Sequence, residues 1–173
     1  TRKEFSLFET MLWMPKEGFF LLENHIARMA DSAQYFDFPF SRETLEKYLT
    51  EIQAGLTSTK RVKIYLNRLG EFSKEVVDFS SEERVFKAHL AENSVRSDNV
   101  HLFHKTTQRE FYPVPENGSD EVLLFNERGE LTEFTIGNLV VEMDGQLFTP
   151  PVSCGLLAGT FRAYLIETHQ ITE

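Results

Sequence analysis

Between Leu22 and Phe36 apolar residues return at helical spacing. Ile26, Met29, Ala30, Ala33 and Phe36 form one stripe, and Glu23, Arg28, Asp31 and Gln34 lie between them. A helix with a single apolar stripe has to bury it against another layer. Asp37-Phe38-Pro39-Phe40 ends it. Ser41 then stands as the N-cap of a second helix, with Leu45, Tyr48, Leu49 and Ile52 on one face and Gly55 near its end. After that the period changes. Val62, Ile64 and Leu66 alternate with Lys63, Tyr65 and Asn67, as in a strand with one buried face. Helices and period-two strands in one chain predict an α+β fold.

Residues 76–79 and 85–90 read as further strands, so a small N-terminal lobe is predicted over 1–103. The second lobe, 104–173, is richer in strands. Glu121–Phe125 is apolar and extended, and Glu127-Arg128-Gly129-Glu130 is a turn. Residues 139–143 and 146–149 flank Asp144-Gly145, the strongest hairpin signal in the chain. Pro150-Pro151 stops that hairpin, Gly155-Leu-Leu-Ala-Gly159 is a loop, and residues 160–168 read as a helix. Two lobes around a cleft is the architecture this order implies, and such clefts commonly hold ligands.

Composition narrows the function classes. The 173 residues suit one domain or two small lobes. Lys+Arg is 18 against 27 Asp+Glu, a formal charge of −9, and a uniform acidic field repels phosphate backbones. Nucleic-acid binding is therefore not expected, while a local basic pocket for a small anion is compatible. Cys154 is alone, so no intramolecular disulfide can form. That fits a reducing compartment, taken here as the cytoplasm. No apolar run reaches the ~18 residues of a membrane helix, and the start, Thr1-Arg2-Lys3-Glu4-Phe5, has no signal-peptide character. The chain opens without Met, as a processed product or a piece of a longer chain does. The five histidines are dispersed with no clustered cysteines, so no metal site is expected. Neither a G-x-S-x-G elbow nor a G-x-x-x-x-G-K loop is present.

Four places can carry chemistry. Lys105, in Phe103-His104-Lys105-Thr106-Thr107-Gln108-Arg109, sits at the predicted lobe junction. A partly buried lysine there is a usable amine nucleophile and base, and a surface lysine after a strand is equally compatible with the spacing. Glu133, in Leu131-Thr132-Glu133-Phe134, follows a turn and precedes a hairpin. It reads as a partner for a protonated cofactor ring nitrogen or as a solvated edge residue. Gly159-Thr160-Phe161-Arg162 opens a loop into a helix, where first-turn amides and the helix dipole favour an anion. His25 and Arg28 share a helix face, from which Arg28 either grips a phosphate with its paired donors or stays solvated.

Together these stretches resemble the class IV aminotransferase family, which has the type IV pyridoxal-phosphate fold. Leu7-Phe8-Glu9-Thr10 with Phe20-Leu21-Leu22-Glu23-Asn24-His25-Ile26-Ala27-Arg28-Met29 is similar to the family's E-T…F-x-L-E-x-H-x-x-R-L opening. Ser32-Ala33, Glu133 with Asn138 five residues on, Thr149-Pro150-Pro151 and Gly159-Thr160-Phe161-Arg162 follow in the family's order. Within the family, His104-Lys105-Thr106-Thr107-Gln108-Arg109-Glu110-Phe111-Tyr112 looks like the H-K-T-T-x-R-x-x-Y of 4-amino-4-deoxychorismate lyases. The lyase domains fused to aminodeoxychorismate synthase are the nearest pattern.

The resemblance implies a two-lobed fold, with a small α/β N-terminal lobe and a strand-rich, barrel-like C-terminal lobe. It implies a pyridoxal 5′-phosphate cofactor bound covalently by Lys105. Glu133 would keep the pyridine nitrogen protonated, Arg28 and the Thr160 and Phe161 amides would grip the phosphate, and Asn138 would support the Glu133 loop. Arg109 and Tyr112 are implied as substrate-binding residues, with Arg109 meeting a substrate carboxylate. The implied activity is conversion of a small amino substrate to 4-aminobenzoate and pyruvate, in folate precursor synthesis, by a homodimer. Transamination of D- or branched-chain amino acids and a non-catalytic homologue are the alternatives. Two departures stand out. Thr160-Phe161 occupies the place where Ile-Thr is frequent in aminotransferases. Family members also run on past the equivalent of Ile171-Thr172-Glu173 through a second phosphate-contacting loop, so a C-terminal lobe cut short is expected.

Overall fold

A computed structural model describes residues 4–81 and 83–173, so the reading made on Thr1, Arg2 and Lys3 lies outside the described residues. It is a mixed α+β structure. Its contacts divide into two units, Thr1–Glu82 with Lys105–Gln108, and Glu83–His104 with Arg109–Glu173. This division differs from the boundary read at 103/104. Residues 83–104 go with the second unit because their strand pairs there, and Lys105–Gln108 return to the first.

The first unit is an antiparallel sheet covered on one face by two helices. Its strands are β1 (Leu7–Met14), β2 (Gly18–Phe19), β3 (Lys60–Leu66) and β4 (Phe72–Asp78), in the order β2-β1-β3-β4. The helices are α1 (Leu22–Phe36) and α2 (Arg42–Gln53), within a residue or two of the predicted bounds. Ser41 caps α2 as its sequence suggests, accepting from the Thr44 amide at 3.2 Å. Val62, Ile64 and Leu66 of β3 meet Leu7, Met11 and Trp13 of β1, Ile26, Met29 and Ala33 of α1, and Leu45, Leu49 and Ile52 of α2 in one core. The sequence reading had no strand before α1. Apolar side chains on both faces of Leu7–Met14, together with a carboxylate on the buried one, hide its alternation.

The second unit holds a three-stranded sheet. β5 (Ala88–Leu90) runs parallel to β6 (Glu121–Phe125), which is antiparallel to β7 (Leu131–Phe134). The strand predicted over 85–90 shrinks to its last three residues. Val85 is 91% and Phe86 56% exposed, so these side chains find no buried face to reward pairing. A short helix α3 (Val100–Phe103) packs Leu102 onto Val122 and Leu124 of β6. The predicted hairpin forms as β8 (Val141–Met143) and β9 (Gln146–Phe148). Its turn residues Asp144 and Gly145 both have positive φ, at 52° and 76°, as the tight hairpin turn requires. Leu139 and Val140 fall outside the ladder, so this strand is shorter than read. Helix α4 (Thr160–Glu167) closes the unit.

One buried side chain sets the loop that matters most. Asn126, fully buried, accepts from the Arg128 and Glu130 amides at 3.0 and 3.1 Å. It also donates to Glu130 Oε2 at 2.7 Å and to the Cys154 carbonyl at 2.9 Å. All its hydrogen-bonding capacity is used, which ties the β6–β7 turn to the chain leading into α4.

Candidate functional site

Lys105 and Arg28 belong to the first unit. The Lys105 segment lies along the first half of β1. The Phe8 amide donates to the Lys105 carbonyl at 3.0 Å, the Thr107 amide to the Ser6 carbonyl at 2.9 Å, and Leu7 pairs with Thr106. The Lys105 backbone is therefore seated by a strand about a hundred residues away in sequence. Its half-buried side chain carries Nζ to 4.7 Å from the centre of the Phe8 ring, and Phe8 in turn packs on Tyr65 across the strands at 5.8 Å. An ammonium over a ring face is attracted by the ring quadrupole.

Arg28 projects from α1 onto Glu9 of β1. Nε reaches Oε1 at 2.7 Å and Nη2 reaches Oε2 at 2.5 Å, while His25 Nδ1 lies 2.6 Å from Oε2. The strand period forces Glu9 onto the buried face between Leu7 and Met11, where it is 2% exposed. Burial by itself pushes the Glu9 carboxyl up. The hydrogen bonds and charges of His25 and Arg28 outweigh burial and hold it below the usual carboxylate range.

In the second unit Glu133 gathers the other predicted residues. It is 4% exposed, on β7 beside the bridge that pairs it with Asn138. Tyr112 donates its hydroxyl to Oε1 at 2.8 Å; the Leu157 amide at 3.3 Å and Asn138 Nδ2 at 3.4 Å donate to Oε2. Burial, then the Glu133 charge and hydrogen bond, raise the Tyr112 phenol, which stays a protonated donor. Arg109 lies over the Tyr112 ring, 4.1 Å from its centre, and donates to the Thr135 carbonyl. In this structure its guanidinium braces the Glu133 neighbourhood.

Asn138 also donates to the Leu157 carbonyl at 2.8 Å, tying β7 to the loop before α4. Gly159, the N-cap of α4, is pressed against it. A Cβ on Gly159 would come within 2.0 Å of Asn138 Oδ1, so only glycine fits with Asn138 in place. Thr160 and Phe161 then start the helix with no side-chain cap. Their amides stand at the positive end of the dipole. Phe161 is 54% exposed and stacks on Tyr164.

The family model for amino-transferase class IV matches residues 6–172. The chain belongs to the class IV aminotransferase family. This is a family of enzymes that use pyridoxal phosphate. A Schizosaccharomyces pombe protein named as a candidate aminodeoxychorismate lyase is 32% identical over 99% of this chain and 77% of its own length. A crystal structure of a candidate amino-acid aminotransferase from Mesorhizobium loti superposes with a TM-score of 0.90 at 32% identity, covering 98% of this chain and 86% of that one. A candidate 4-amino-4-deoxychorismate lyase from Legionella pneumophila shares the fold, with a TM-score of 0.82 at 21% identity over 97% of this chain and 72% of that one.

Each unit holds groups of the kinds the family's cofactor takes. The first carries an amine and a guanidinium, and the second a buried carboxylate and a glycine-opened helix start. The sequence reading missed Glu9 as a site residue, and it had no role for the Leu157 amide. The signal for Glu9 is a charge in the middle of the alternation Leu7, Met11, Trp13. A charge there is tolerated only when another element brings it partners. Nothing local announces Leu157, whose part is played by its backbone. No helix among the described residues is long and apolar enough to cross a membrane.

Proposed function

We propose that the protein is a pyridoxal-phosphate-dependent 4-amino-4-deoxychorismate lyase that releases 4-aminobenzoate and pyruvate, a step that supplies a folate precursor. The observation that carries this reading is the 32% identity, over 99% of the chain, to the Schizosaccharomyces pombe candidate lyase. When bound, the cofactor supplies an electron sink for negative charge at the amine-bearing carbon.

The chain's own residues supply the rest. Lys105 holds the cofactor through its amine and then moves the proton on the amine-bearing carbon. Glu133 keeps the ring-nitrogen proton in place, and its carboxylate accepts hydrogen bonds from Tyr112, Asn138 and the Leu157 amide. Arg28 and the first amides of α4 bind the phosphate. Arg109 meets the substrate carboxylate in this reading, and Tyr112 acts through Glu133 as one of its donors. Loss of the ring proton and of the enolpyruvyl group converts a cyclohexadiene to an aromatic ring. The elimination therefore runs downhill, and the protein's task is mostly to position groups and place charge.

A second reading is transamination of a D- or branched-chain amino acid, favoured by the Mesorhizobium loti likeness. The two differ in one requirement. A transaminase needs a keto acid to complete its cycle, whereas a lyase needs none. Purified protein given 4-amino-4-deoxychorismate and cofactor, with no keto acid, is expected to release equal amounts of 4-aminobenzoate, read by its fluorescence, and pyruvate, read with lactate dehydrogenase. Product that appears only with an amino acid and 2-oxoglutarate would move the transaminase reading forward. The proposal includes a cytoplasmic homodimer. Sedimentation equilibrium is expected to give twice the mass of one chain at micromolar concentration, and a single-chain mass would count against it.

A further inference from the structure

A carboxylate on the buried face of β1 needs a reason to be there. Its neighbours along that face are Leu7 and Met11, and beyond it Ile26, Met29, Leu45, Leu49 and Ile64 wall off an apolar gap. An apolar side chain at position 9 would extend that core without the desolvation that an ion suffers. Glu9 instead takes both edges of a donor set presented by one turn of α1. Arg28 binds both of its oxygens, and His25 meets the second. The burial is graded. The Glu9 side chain is 3% exposed and that of Arg28 is 15%, so the carboxylate lies inside and the guanidinium at the edge.

That grading has a chemical consequence. An arginine on a helix has a long, rotatable stem, and ordering it is part of the cost of any anion it binds. Binding through Nε and Nη2 fixes the plane of the guanidinium, so its direction is set before a ligand arrives. We propose that Glu9 is a positioning residue that holds the Arg28 guanidinium for the phosphate monoester of the cofactor, with His25 steadying Glu9. This rests on the reading of Arg28 as a phosphate-binding residue given above.

The sign of the effect separates positioning from bulk electrostatics. A negative carboxylate behind the guanidinium lowers the local positive charge. If charge alone governed phosphate binding, Glu9→Gln would tighten it. Positioning predicts that it weakens.

The test compares pyridoxal 5′-phosphate with pyridoxal, which has the same aldehyde and ring and no phosphate. Dissociation constants are measured by absorbance titration for the wild type, Glu9→Gln and Glu9→Asp, each checked by circular dichroism and thermal melting. Glu9→Gln is expected to weaken pyridoxal 5′-phosphate roughly 10- to 100-fold, the cost of a mis-set supporting group. Pyridoxal affinity should change by no more than about 3-fold, because no phosphate is involved. Glu9→Asp is expected to recover part of the loss. Equal weakening of both ligands, or unchanged or tighter phosphate-ligand binding by a folded variant, overturns the inference. Should Glu9→Gln not fold, Arg28→Lys keeps the charge and removes the paired geometry. It is expected to lose the preference for the phosphate form, and its retention overturns the inference equally. A wild type that binds both ligands alike defeats the Arg28 reading and this inference with it. A wild type that prefers the phosphate form, with a variant that does too, defeats the inference alone.

Discussion

Lys105→Ala is expected to abolish the borohydride-trapped cofactor adduct and to lower turnover by roughly 10⁴-fold or more, the scale of removing a group that forms the covalent intermediate. The structure makes the result interpretable, because the main chain at this position does not depend on the side chain. The Lys105 carbonyl accepts from Phe8, the following residue pairs with Leu7, and the Thr107 amide donates to Ser6. Truncation beyond Cβ leaves all of this intact, and the side chain is only half-buried. The variant should therefore fold and melt within a few degrees of the wild type. The measurement is reduction with borohydride in the presence of pyridoxal 5′-phosphate, digestion and mass spectrometry of the peptides, beside product formation by the same samples. Wild-type protein is expected to carry the pyridoxyl mass on Lys105. An unmodified Lys105 in folded, cofactor-saturated wild type, or an active Lys105→Ala variant, would end the proposed role.

Glu133→Gln is the second large effect. It exchanges a carboxylate for an amide of the same shape, so it removes charge while keeping volume. Tyr112, Asn138 and the Leu157 amide donate to the carboxylate. A glutamine has one acceptor oxygen, so its amide nitrogen must face at least one of these donors. The buried mismatch is expected to cost about 1–3 kcal/mol of stability, visible as a lower melting temperature. The neutral side chain also cannot hold a proton on a pyridine nitrogen, and kcat is expected to fall on the order of 10²- to 10³-fold at saturating cofactor. Tyr112→Phe is the control, since it deletes one donor and leaves the carboxylate charged. A Glu133→Gln enzyme no slower than Tyr112→Phe would show that the charge of Glu133 is not what the reaction uses.

Both effects fall on residues that the sequence named, while the surroundings that give them meaning were only partly legible. Glu133 and Asn138 stand five apart, and their pairing is a short-range turn. Tyr112 is 21 residues from Glu133 and Leu157 is 24 residues from it, and no spacing rule links them. Gly159 reads as a helix entry. That it must be glycine for Asn138 to keep its place is a steric fact between two chain segments. Arg28 reads as a phosphate grip on a helix face, and the carboxylate that fixes its direction comes from a strand missed in the sequence.

What the sequence determined by itself is what local forces determine. The apolar stripe of α1, the Ser41 cap of α2, the alternation of β3 and the Asp144-Gly145 turn each rest on residues a few positions apart, where periodicity and turn chemistry act directly. The ordered motifs from Glu9 to Arg162 also sufficed to place the chain in its family. Tertiary structure alone decided that Glu9 points inward, that the Lys105 backbone is seated on β1, and that Tyr112 and the Leu157 amide converge on the Glu133 carboxylate. A buried charge is stable only when donors arrive from other elements, and strand pairing across a hundred residues leaves no local pattern to read.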